Sequence, residues 1–165
     1  MTKTSLLPTI AVILLAITAH AAGERNPTLI TKEYAVGRRG YEGAIGKWLI
    51  KKNPDYGANR EDRDLMIGQH ANPDQDVFRS LIKFTNLDIP AGSKIMSANF
   101  SFRADLGGAP RIAIYGLLKD WTSSTTWSTA LAGETTWNSQ HHLESRWGLP
   151  GADKPSSEER YDGDA

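Results

Sequence analysis

The chain has 165 residues, with 19 basic and 19 acidic side chains, no cysteine and a mean hydropathy of −0.42. A balanced charge gives no electrostatic reason to expect nucleic acid or an anionic membrane as partner. A chain without cysteine has no disulfides, thiolate nucleophiles or Cys-based zinc sites, which argues against a disulfide-stapled animal module and suits a bacterial exported β-domain.

Residues 1–21 read as a signal peptide. Lys3 gives a positive start, residues 6–19 are an apolar run, and Ala19-His20-Ala21 fits the small-x-small cleavage pattern, with the cut after Ala21. The run is about fourteen residues, short of the roughly twenty needed to cross a bilayer. The expected mature product is therefore secreted to the extracellular space, with no membrane association after cleavage.

Residues 22–46 form a polar, charged, glycine-containing segment with at most one short strand near Leu29-Ile30-Thr31. Trp48-Leu49-Ile50 opens the periodic part. Asn53-Pro54-Asp55-Tyr56-Gly57 is a strong turn, because proline presets φ and Asn, Asp and Gly tolerate the remaining angles. Leu65-Met66-Ile67-Gly68 reads as a short strand, and Asn72-Pro73-Asp74 lies in the loop after it.

Three apolar segments with period two follow, the signature of antiparallel strands with one covered face. In Val77–Phe84, Phe78, Ser80, Ile82 and Phe84 share one face, with Arg79, Leu81 and Lys83 opposite. Met96, Ala98, Phe100 and Phe102 share a face, with Ile95, Ser97, Asn99 and Ser101 opposite. Ile112, Ile114, Gly116 and Leu118 form a third row, Tyr115 faces outward, and Gly107-Gly108-Ala109-Pro110 is the connector before it. Phe84, Phe100 and Ile114 are expected to be buried together. No helical period persists over three turns beyond the leader, so the fold class is all-β, an antiparallel sandwich.

After Asp120 the period fades. Trp121, Trp127, Trp137 and Trp147 sit among Ser, Thr, Gly and Asn, reading as long loops pinned by aromatic rings. Residues 153–165 are polar and are expected to form a disordered tail.

These segments, taken in order, resemble the DNRLRE (disaggregatase-related) domain, also grouped as carbohydrate-binding module family 96. The resemblance spans residues 47–151, within a domain placed at 47–152. It rests on Asn53-Pro54-Asp55-Tyr56-Gly57, Leu65-Met66-Ile67-Gly68, Arg79-Ser80-Leu81-Ile82-Lys83-Phe84, Leu87, Ile89-Pro90-Ala91-Gly92 and Ser97-Ala98-Asn99-Phe100-Ser101-Phe102. It continues through Ile114-Tyr115, Trp121, Thr126-Trp127, Ala130, Gly133, Trp137 and Trp147-Gly148-Leu149-Pro150-Gly151-Ala152. The string Asp-Asn-Arg-Leu-Arg-Glu itself is absent. The resemblance implies a jelly-roll-like β-sandwich that binds polysaccharide beside secreted polysaccharide-active enzymes. Family members continue past the last turn with further strands. The resemblance therefore also implies a sandwich lacking its last strands, with open sheet edges and self-association through them.

Sugar rings present apolar faces that stack on Trp or Tyr, while polar side chains meet the hydroxyls. Tyr56, Tyr115, Trp137 and Trp147 are the candidate carbohydrate-binding residues, whereas Trp121 and Trp127 read as core plugs. Asp55, Glu61, Asp62 and Asp64 could hold a structural calcium, though without the alternating spacing of a calcium loop. His141 and His142 point to opposite sides of any strand, so with Glu144 they read as solvated loop, not a metal site. No Gly-x-Ser-x-Gly, His-Glu-x-x-His or phosphate loop occurs, and no carboxylate pair suits glycoside hydrolysis, so a non-catalytic role is expected. Two other readings stay open: a structural or adhesion sandwich of an extracellular assembly, and the amino-terminal fragment of a larger polysaccharide-degrading enzyme.

Overall fold

The computed structural model describes residues 12–19, 28–35, 40–58, 65–69, 76–102, 112–125, 127–153 and 157–161. All its regular structure is β, in ten strands: β1 Val12–Ala19, β2 Thr28–Ala35, β3 Ala44–Ile50, β4 Gly68–Gln69, β5 Val77–Phe84, β6 Lys94–Ser101, β7 Ile114–Leu117, β8 Ser139–His141, β9 Ser145–Arg146 and β10 Ser157–Tyr161. Among the described residues there is no helix, so the all-β expectation holds. The chain divides into two compact units, residues 1–45 with 83–105, and residues 46–82 with 106–165.

The first unit holds a three-stranded antiparallel sheet in the order β2-β1-β6. Pairing runs from Val12↔Ala35 to Ala19↔Thr28 on one side and from Val12↔Ser101 to Thr18↔Lys94 on the other, with an irregularity at Ala16/Ile17. The middle strand is thus the apolar run read as part of the leader, and β2 is longer than the short strand expected there. Tyr34 is buried, with Tyr41, Leu87 and Ile89 packed against it. The Tyr34 hydroxyl donates to Asp88 at 2.5 Å, and Lys32 donates to the same carboxylate. Burial first, then the bond to Asp88, pushes Tyr34 up to about 12. The hydrogen bonds from Lys32 and Tyr34 hold the exposed Asp88 carboxyl below its usual range. A Cβ at Gly43 would fall 2.2 Å from the Thr85 carbonyl oxygen, so only glycine allows this approach of two backbones.

The face assignments need correcting. The rings of Phe84 and Phe100 do meet, 5.9 Å apart and edge to face, but both residues are only half-buried. Met96 lies exposed in β6, as do Ile114 and Leu118 in the third row. In β5 the most buried side chain is Leu81, from the row read as outward, while Phe78, Ile82 and Phe84 are intermediate. Alternation divides a strand into two rows, but neighbours decide which row is covered.

The second unit contains a sheet in the order β3-β5-β4, the β8–β9 hairpin and the antiparallel β7–β10 pair; β3 and β5 also contribute residues to the first unit. Residues 47–50 of β3 are all buried, so this strand is covered on both sides. Trp48, Ile50 and Ala58 form a cluster against which Tyr56 and Phe78 pack. Residues 157–161, expected within an unstructured tail, form β10, with Arg160 opposite Tyr115 and Tyr161 opposite Ile114. The connector at 107–110 lies outside the described residues.

Candidate functional site

The site begins with the turn at 53–58, where Tyr56 N donates to the Asn53 carbonyl at 3.0 Å. Three long-range backbone bonds then tie the turn to the Trp127 loop and to Asn138. Gly57 N donates to Ser128 O at 2.7 Å, Ala130 N to Asp55 O at 2.9 Å, and Asn138 N to Pro54 O at 3.1 Å. This clamp sets Tyr56 against Trp127, the ring centroids 5.6 Å apart at 86°, and the Tyr56 hydroxyl donates to the Trp127 carbonyl. Trp48 meets Trp127 from the core, also at 5.6 Å and nearly perpendicular. Two rings thus brace the Trp127 indole edge to face, a favoured aromatic geometry, while 49% of the residue stays exposed.

On the turn, Asp55 meets two polar side chains from further along the chain, Asn138 and His142. Asn138 Nδ2 donates to Asp55 Oδ1 at 3.3 Å, and His142 Nδ1 lies 4.0 Å from the same oxygen. That nitrogen is buried without a hydrogen-bond partner.

The turn and residues of the 124–134 segment are anchored by two buried ionisable side chains, Lys47 and Glu134. Lys47 is 1% exposed, and its ammonium donates to the Gly57 carbonyl and to the Ser124 hydroxyl. The Glu134 carboxylate accepts from Thr125 N at 2.6 Å, from Thr125 Oγ1 at 2.9 Å and from Leu131 N at 3.0 Å. Burial pushes Lys47 down to about 8, an effect the nearby charge of Glu134 opposes. Burial also pushes the Glu134 carboxyl up, but its hydrogen bonds and the charge of Lys47 outweigh this and hold it below its usual range.

The four aromatic candidates part company. Trp137 is 7% exposed; the Arg79 guanidinium covers its ring at 5.3 Å while donating to the Gly151 carbonyl at 2.8 Å. Trp147 is 5% exposed and donates its indole N–H to the Thr136 carbonyl at 2.9 Å. Both are core residues, because loop packing from distant parts of the chain covers them, and neither offers a face to a ligand. Tyr115 is exposed on β7. Tyr56 is half-buried, with its ring edge on Trp127. Trp121 is buried, as a core plug should be, whereas Trp127 is half-exposed and joins the site instead. The polar neighbours Thr125, Thr126, Ser128 and Thr129 were the sequence signal that no apolar row continues through Trp127.

Of the acidic residues considered for calcium, Glu61, Asp62 and Asp64 lie outside the described residues. Among those described, no group of three or more His, Asp or Glu is arranged to hold a metal ion. No family model, curated protein or solved structure matches the chain.

Proposed function

We propose that the chain is a secreted, non-catalytic carbohydrate-binding module, a jelly-roll-like sandwich that takes polysaccharide at Trp127 and Tyr56. The observation that carries this reading is Trp127. A large apolar ring is braced by two others and left half open, with the carboxylate of Asp55 on the clamped turn and the amide of Asn138 bonded to it. Pyranose faces stack on such rings, and carboxylate and amide groups bond the equatorial hydroxyls. Bracing lowers the ordering cost of binding, because the ring is held before the sugar arrives. The resemblance to the DNRLRE family and the leader pattern support the same reading.

The test is retention of the full chain on a panel of neutral and acidic polysaccharides in affinity electrophoresis. Retention should fall at least about tenfold for Trp127→Ala, the scale of a lost central aromatic contact. It should stay unchanged for Tyr115→Ala. Equal retention of Trp127→Ala and the parent would remove Trp127 from the site. Ile114, Tyr115 and Leu118, all exposed on and beside β7, favour a protein-binding adhesion module as the second reading. Under that reading no polysaccharide retards the chain.

A further inference from the structure

The strand at the centre of the first sheet is the segment that the sequence marks for removal. β1 pairs antiparallel with β2 along eight residues and with β6 along nearly the same length. Among the described strands, β1 is the only partner of either neighbour within that sheet. Removing β1 leaves two facing edges separated by about twice the 4.8 Å strand spacing, too far to bond each other directly. Each edge then carries a row of unpaired N–H and C=O groups, which seek a partner.

We propose that, in the mature chain, the gap between β2 and β6 is a receptor groove for an extended apolar segment of another polypeptide. That segment would be bound as a replacement strand antiparallel to both neighbours. The proposal rests on the export reading above, since only cleavage vacates the groove. A segment added at one free edge gains a single ladder, whereas one entering this groove gains two, so the groove outcompetes ordinary edge addition. The occupant's chemistry follows from the strand it replaces. It has about eight residues, the length of an ordinary strand, with no charge and no proline. It also has a small residue where the β6 ladder shifts, the place held by Ala16. Lys32, Glu33 and Lys94 on the flanking strands disfavour a charged occupant of uniform sign.

The experiment uses the full chain carrying a site-specific protease sequence inserted after Ala21. After cutting and removal of the leader peptide, amide exchange is followed in β2 and β6. Exchange there should accelerate by about tenfold or more, as expected when a ladder is lost. A synthetic peptide of residues 12–19 should restore protection, and the same peptide with Leu15→Pro should not. Protection that survives loss of the leader, in a monomer or through dimerisation, overturns the proposal, as does a peptide without effect. Because the cut is made in vitro, failure of the export reading is seen separately, as a cellular product that still begins at Met1.

Discussion

The ammonium of Lys47 donates to the hydroxyl of Ser124, 77 residues further along the chain, in a part of the second unit closed to water. The folded value of about 8 lies below the ordinary 10.5, so between those pH values the unfolded chain binds the proton and the folded chain does not. Stability therefore rises with pH across that window, by up to roughly 3 kcal/mol for this group alone, and the penalty is present in full below pH 8. Urea titrations at pH 7 and pH 10 should show this rise in the parent and its loss in Lys47→Met.

Glu134→Ala tests the other half of the pair. It removes the negative charge that favours the buried Lys47 ammonium and takes the acceptor from the amides of Thr125 and Leu131. A loss of about 2–4 kcal/mol is expected at pH 7, since each buried donor left unsatisfied costs about 1–3 kcal/mol. A change below about 1 kcal/mol would mean that water reaches Lys47.

Gly151 has φ +80°, and a Cβ there would meet the Trp137 ring at 2.9 and 3.0 Å and Arg79 Nη1 at 3.1 Å. Gly92 has φ +77° with nothing within 4 Å of the same atom. Gly92→Ala should cost only the backbone term of about 1–2 kcal/mol, and Gly151→Ala clearly more, because a packed indole cannot give way. Thermal unfolding of both variants gives the comparison directly.

Trp147→Ala should cost about 3–5 kcal/mol through the cavity it leaves and the orphaned Thr136 carbonyl. Trp127→Ala should cost markedly less, since half of that ring is already in water. Equal losses would show that Trp127 is a core residue after all.

Under the proposed secreted role, the exported product should begin at Ala22. Mass spectrometry of the amino-terminal peptide decides this, and an exported chain that retains Met1 would contradict it.

Strands β3, β5, β6 and β7 were legible from sequence, but their covered faces were not. Strands β1, β8, β9 and β10 fell in stretches read as leader, loop and tail, and the strand expected over residues 65–68 is confined to Gly68–Gln69. Val77–Phe84 is recovered to the residue because alternation between Pro/Asp-rich turns is a local signal. Leu81 was placed on the wrong side because both rows of that strand contain apolar residues, and only its neighbours choose between them. Trp137 and Trp147 looked like surface aromatics for a related reason. Ser, Thr, Gly and Asn surround them, and their cover comes from Arg79, Gly151 and Thr136 through long-range packing. Lys47 gave no local sign of burial, although its place before Trp48-Leu49-Ile50 put it in a strand covered on both sides. The clamped turn fared best, since Asn53-Pro54-Asp55-Tyr56-Gly57 announces its own geometry. Its partner Trp127 had to come from the structure.

The three backbone bonds that hold this turn reach to residues 128, 130 and 138, so they close loops more than seventy residues long. Such closures come late, because chain entropy must be surrendered before any contact repays it. Until residue 138 has emerged from the ribosome, the Pro54 carbonyl lacks the Asn138 amide that closes the last of the three bonds. The clamp on the turn is therefore completed only after most of the chain has been made.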